Sequence, residues 1–153
     1  MQYIYEAIIE GYDDGGYTVE LPDWGSATEG ENLEEAVRMG IDLLEVEVTT
    51  ALVDDRELPH PVFGHELKKN EERLLLTIKT SREEAEKIWP WITTGEAAEI
   101  LGVTPARVRN LVLSGALQAE KNGRDLWVSR ADVRARMKSS PQPGRPRKEA
   151  VAA

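Results

Sequence analysis

Apolar residues recur along this chain with two periods, and the period switches where turn-forming residues cluster. Gln2–Glu10 (QYIYEAIIE) reads as a strand rich in Tyr and Ile, closed by the turn signal Asp13-Asp14-Gly15-Gly16. Tyr17, Val19 and Leu21 alternate with Thr18 and Glu20, which predicts a half-buried second strand ended by Pro22 and Asp23. Ser26–Glu29 is a short third strand. Asn32 and Glu35 stand at N-cap and N3 spacing and open a helix. Its apolar positions Leu33, Ala36, Val37, Ile41, Leu44, Val48 and Leu52 share one face, and Glu34, Glu35, Asp42, Glu45 and Glu47 lie largely off it. After an extended loop at Leu58-Pro59-His60-Pro61, Glu72–Thr80 reads as a fourth strand. The order ββ-β-α-β with one amphipathic helix predicts a small sheet covered on one face.

Beyond it, residues 81–92 read as a linker, a short helix or connector broken at Pro90. Thr93 and Glu96 form a second capping-box pair, opening a helix to about Leu101. Gly102 follows where a tight turn needs positive φ. Thr104 is an N-cap with Pro105 at N1, and this helix runs to Ser114 before Gly115. Val103, Val108, Leu111 and Val112 supply the expected apolar contacts between the two helices, with small Ala98 at their crossing. Gln118–Lys121 and Arg124–Val128 flank Asn122-Gly123, a strong hairpin signal. Ser129 and Asp132 cap a last helix carrying Arg130, Arg134, Arg136 and Lys138. The expected fold is therefore α+β: a sheet domain over 1–80, a linker over 81–92, a mainly helical domain with a β-wing over 93–138, and a basic Pro/Gly/Ser-rich tail over 139–153.

Charge divides the 153 residues in the same way. Through Ile92 the chain holds 22 acidic and 8 basic side chains, a net −14; from Thr93 on it holds 6 and 11, a net +5, together the −9 of the whole. A basic half collects phosphates. An acidic half repels nucleic acid and attracts a basic protein. No cysteine is present, which excludes disulfides and thiolate metal sites, and no run of apolar residues is long enough to span a membrane. The N-terminus lacks the pattern of a signal peptide. The expected location is the cytoplasm of a bacterium or archaeon, on the nucleoid when bound to DNA.

Two helices joined by a glycine turn are a DNA-binding device whose second helix enters the major groove; the same capped pair can also be a plain helical domain. On the second helix Arg107, Arg109 and Asn110 lie off the apolar stripe. Arg pairs bidentately with guanine and Asn with adenine, while Thr104 and Pro105 open a helix N-terminus suited to a phosphate. Lys121, Asn122 and Arg124 on the hairpin are placed for backbone contact. In the tail, Gly144-Arg145-Pro146 followed by Arg147 is like the core of a minor-groove hook, though the segment is short and reads first as a generic basic tail. A third reading, metal-dependent phosphoryl chemistry, would use Asp13, Asp14, Glu20 and Asp23. Solvated turn charges account for these carboxylates, and His60 and His65 have no partner at ligand spacing. The expectation is thus no catalytic site, no metal, no cofactor and no enzyme activity.

Two resemblances sharpen these expectations. TTGEAAEILGVTPARVRNLVLSGALQAEKNGRDLWVSRADVRARM, Thr93–Met137, resembles the excisionase and MerR-like helix-turn-helix family in its EAAEILGVT start, SGAL step, NGR wing and following capped helix. That resemblance implies sequence-specific binding of double-stranded DNA through the second helix and wing; Asp125, an acid beside the wing, departs from it. YIYEAIIEGYDDGGYTVELPDWGSATEGENLEEAVRMGIDLL resembles the HicB antitoxin family in its aromatic first strand, Asp-Gly-Gly-Tyr turn, Val-x-Leu-Pro-Asp strand end and Glu-Glu-Ala helix start. It implies a degraded, partial RNase H-like domain without nuclease activity that masks a small basic mRNA-cleaving toxin, HicA, while the DNA-binding domain represses the operon. Asp13, Asp14, Tyr17 and Trp24 are then the expected toxin contacts. Trp24-Gly25-Ser26 replaces the family's usual Pro-Gly-Cys-like segment, and Trp24 serves equally as a partner anchor or as packing on its own sheet. The alternative is a stand-alone regulator or excisionase-like protein whose first domain only oligomerises. A homodimer at least is expected, because one helix-turn-helix covers few base pairs.

Overall fold

The computed structural model describes residues 1–139, which divide into two compact units, one of Met1–Trp89 and one beginning at Pro90. No helix among the described residues is long and apolar enough to cross a membrane.

The first unit contains β1 (Gln2–Gly11), β2 (Tyr17–Leu21), β3 (Ser26–Gly30), α1 (Leu33–Val53), β4 (Glu71–Lys79) and α2 (Arg82–Ile88). The four strands form one antiparallel sheet in the order β3-β2-β1-β4. The β1–β2 turn closes as its sequence dictates: the Tyr12 N–H donates to Gly16 O at 2.8 Å, Gly15 takes φ 91°, and the Asp14 carboxylate accepts from the Gly16 N–H at 2.9 Å. Asn32 caps α1 through the Glu35 N–H at 2.9 Å. Tyr5, Ala7, Ile9, Val19, Leu21, Leu76 and Ile78 then bury against Ala36, Leu44 and Val48 of the helix.

The buried stripe of α1 differs from the one the sequence predicts. Ala36, Gly40, Leu44, Val48 and Ala51 are buried, whereas Leu33 and Ile41 are exposed. A Cβ added at Gly40 would stand 2.9 Å from Val19 Cγ1, so the helix crosses β2 where its side chain is absent. That close approach selects Gly40 over its larger neighbour.

The predicted linker, residues 81–92, is largely regular structure. Ser81 caps α2, Ala85 buries, α2 packs on α1, and the Trp89 indole N–H donates to Thr49 Oγ1 at 3.1 Å. The second sheet face is not bare either. Glu6 and Ile8 point away from the core residues Tyr5, Ala7 and Ile9, yet both are buried.

The second unit holds β5 (Trp91–Thr93), α3 (Thr94–Leu101), α4 (Pro105–Leu113), β6 (Ala119–Asn122), β7 (Asp125–Ser129) and α5 (Arg130–Ser139). Ile92, Ala97, Ala98, Val108, Leu111, Leu117, Val128 and Val133 form its core. The wing is a three-stranded sheet, β5-β7-β6, because Trp91, Ile92 and Thr93 pair with Ser129, Val128 and Trp127. The unit therefore starts before Thr93. Val103 is partly exposed and is absent from this core, while Val112 packs against it.

Candidate nucleic-acid interface

Local bonds set the two helices at the turn. Thr93 Oγ1 accepts from the Glu96 N–H at 3.1 Å and Glu96 Oε2 accepts from the Thr93 N–H at 2.7 Å, a closed capping box that fixes the start of α3. Its end is Gly102, at φ 64° and ψ 35°, and the next N–H, from Val103, reaches back to Ala98 O at 3.0 Å. The chain then re-enters a helix at Thr104, whose hydroxyl accepts from the Arg107 N–H at 3.2 Å. Pro105 has no N–H to satisfy. Of the first-turn donors expected to receive a phosphate, only the Ala106 N–H is left outside this cap.

Helix α4 buries Val108 and Leu111. At 100° per residue, Ala106, Asn110 and Leu113 lie opposite that seam, with Arg107 on one flank and Arg109 on the other. All five are exposed, Leu113 to 84%. The contacts expected on this face were the charged and amide side chains; exposed Leu113 was not among them. The helix stops at Ser114, and Gly115 takes φ 79°.

The hairpin turn lies one residue later than expected. Asn122 pairs with Asp125, and the two-residue loop is Gly123-Arg124, with Gly123 at φ 64°. Asp55 is the one described non-glycine residue with positive φ. A turn with its positive φ at the first central position only needs glycine there, and this pulls the loop from Asn122-Gly123 to Gly123-Arg124. Lys121, Asn122, Arg124 and Asp125 are all exposed around it. Asp132 Oδ2 accepts from the Gln118 N–H at 2.7 Å, tying the base of the hairpin to α5. That helix is a weaker cationic surface than its sequence suggests, since Arg130 is buried and Arg134 and Arg136 are half-buried. Arg145 and Arg147 lie outside the described residues.

The expected partner-contact residues of the first unit fall in two places. Asp13 and Asp14 are exposed on the β1–β2 turn beside half-buried Tyr17. Trp24 is at the other end of β2, about 15 Å away by strand rise. Its ring meets Tyr5 edge-on with centroids 5.3 Å apart, and its buried Nε1 has no hydrogen-bond partner among the described residues.

One cluster escaped the sequence reading. Glu6, 1% exposed, accepts from the N–H groups of Gly64 at 2.7 Å and His65 at 2.8 Å, and from Arg73 Nε at 3.1 Å. The His65 ring bridges two carboxylates, with Nδ1 3.0 Å from Glu6 Oε1 and Nε2 3.3 Å from Asp23 Oδ1. Burial pushes the Glu6 carboxyl up, but the Gly64 and His65 amides, the His65 ring and the Arg73 guanidinium outweigh it and hold the group at about 2. The cluster straps the 61–67 loop across the second sheet face. A lone Glu inside the apolar run of β1 was the one available signal.

Residues 91–140 match a family model described as a helix-turn-helix domain. No curated protein matches the chain. Among solved structures, a chain of a toxin-antitoxin complex from Streptococcus pneumoniae aligns at 19% identity and a TM-score of 0.43, covering 75% of this chain and 99% of that one.

Proposed function

We propose that this protein binds double-stranded DNA sequence-specifically, with α4 in the major groove and the β6–β7 hairpin on the phosphate backbone. The observation that carries the reading is the outward face of α4. It presents Arg107, Arg109 and Asn110 from a capped, glycine-turned second helix inside the segment that matches the helix-turn-helix family. Arg124 and Lys121 extend the positive surface onto the hairpin, and the described part of this unit has a positive balance against the −14 of the chain before it.

The acidic unit supplies the second half of the proposal: an antitoxin of the HicB kind that holds a small basic HicA-like toxin and represses its own operon. Its support is the turn and strand-end motif of the first two strands, the β-β-β-α-β order that a partial RNase H-like domain requires, and the charge. A toxin that grips RNA is basic, so a domain at −14 attracts it and competes with RNA for the same surface.

A gel shift on the protein's own promoter, with and without the product of the neighbouring gene, tests both halves. Retardation of that duplex over a scrambled one is expected, changed by the neighbour's protein. Equal affinity for both duplexes refutes specific binding. Failure of any small basic protein to co-purify from the intact operon refutes the antitoxin half and leaves a stand-alone regulator.

A further inference from the structure

β4 is the outer strand of its sheet, and its free side carries a pattern that fits itself. Met1 and Thr80 exchange both backbone bonds at the end of the β1–β4 ladder, each 3.0 Å. Bonding alternates along an antiparallel pair. With Tyr3 opposite Ile78, Tyr5 opposite Leu76, Ala7 opposite Leu74 and Ile9 opposite Glu72, the even-numbered residues of β4 bond to β1. Glu71, Arg73, Leu75, Thr77 and Lys79 therefore turn their N–H and C=O groups outward. Among the described residues, one backbone bond reaches that side, from the Glu71 N–H to Lys68 O. The strand has no proline, and its outward residue Leu75 is 63% exposed. A long edge of this kind, unbulged and left open by the other described residues, is a template for another strand.

The sequence of the edge selects the partner. A second antiparallel copy must set outward-bonding residues opposite one another. With a two-fold axis at Leu75 all nine residues pair: Glu71 faces Lys79 of the second copy, Arg73 faces Thr77, and Leu75 faces itself. On the α1 side of the sheet, Leu74 faces Leu76. Moving the axis to Leu76 sets Arg73 against Lys79, and moving it to Leu74 sets Arg73 against Leu75 and removes the Glu71–Lys79 pair. Charge agrees, since Glu71, Glu72, Arg73 and Lys79 cancel within a unit that is otherwise strongly acidic. The opposite edge, β3 (SATEG), has Glu29 and no cation, so two copies meeting there would bring only like charges together.

We propose that β4 is a self-pairing edge: two copies of this chain join antiparallel through β4 about an axis at Leu75, making one continuous eight-stranded sheet held by about eight interchain backbone hydrogen bonds. The particle then carries two helix-turn-helix units, as paired half-site recognition requires. The pairing is measured with no DNA present, so its failure and the failure of the DNA-binding reading are separate results.

Sedimentation velocity of the full chain across a concentration series is the test. The wild type sediments at twice the chain mass. Leu75→Lys, at an exposed position that leaves the β1–β4 bonds intact, sediments as a monomer. Glu71→Lys and Lys79→Glu each weaken the dimer about tenfold, because the axis repeats every new like-charge pair twice. The double variant Glu71→Lys/Lys79→Glu recovers the wild-type constant to within about threefold, because the pair is restored with its signs exchanged. Circular dichroism checks each fold, and if Leu75→Lys unfolds, the charge exchange carries the test. A wild type that stays monomeric, a folded Leu75→Lys that stays dimeric, or a double variant no tighter than either single one overturns the proposal.

Discussion

Replacing Lys121 and Arg107 separately by Ala distinguishes a phosphate contact from a base contact on the proposed DNA face. Both side chains are exposed, so neither change touches the core. The exposed cations on α4 and the hairpin are Arg107, Arg109, Lys121 and Arg124. With Arg107 on a base edge and the other three on phosphates, the slope of log affinity against log salt is about −2.7 per unit, at about −0.9 for each phosphate. Affinity then falls about 40-fold between about 50 and 200 mM salt. Without Lys121 the slope relaxes to about −1.8 and the fall over the same range to about 12-fold. Arg107→Ala behaves differently: it costs about 1–3 kcal/mol on the cognate duplex, about 5- to 150-fold, and relaxes preference at one base step. Two units on one site double both slopes. Fluorescence anisotropy of labelled promoter and scrambled duplexes over a salt series reads all of this. Binding and slope unchanged by both substitutions would place the DNA face elsewhere. An Arg107→Ala loss equal on both duplexes, with a flatter slope, would make Arg107 a phosphate contact.

Three further outcomes follow from the fold. Val108→Ala removes two fully buried methyl groups from the α3–α4 seam and should destabilise the second unit by about 2 kcal/mol, read by denaturant unfolding. Gly102→Ala forces a Cβ into left-handed backbone at φ 64° and should cost that unit about 1 kcal/mol, read by the same method. Glu6 titrates at about 2 in the fold against an ordinary 4.5, so the stability it confers is complete above the ordinary value and is lost as pH falls from there towards 2. Melting temperatures over that window should drop more steeply for the wild type than for Glu6→Gln. Equal slopes would mean that the Glu6 cluster does not hold the loop.

The helix starts were legible because each is a bond between residues three apart. Asn32 with Glu35, Thr93 with Glu96 and Thr104 with Arg107 are written side by side in the chain, and so is the glycine turn at Gly102. The hairpin was legible to within one residue. Its placement depended on which central position takes positive φ, and that follows from the pairing of β6 with β7. β5 was missed because three residues carry no measurable period. They are a strand only because β7 has a free side for them to meet.

By itself, the sequence determined the longer strands and helices, the helix N-caps, the glycine turn at Gly102, the split in charge and the charged and amide side chains that α4 turns outward, because all of these depend on neighbours along the chain. Tertiary structure decided what depends on distant partners. Gly40 replaces Ile41 in the buried stripe of α1 because Val19 lies against it. Glu6 is an ion-paired anchor because His65 and Arg73, 59 and 67 residues away, converge on it. The outward bonding of Glu71, Arg73, Leu75, Thr77 and Lys79 exists only once β1 has taken the other side of β4. A strand's pattern tells which residues face a core. Which of its two edges remains open is settled only when the sheet is built.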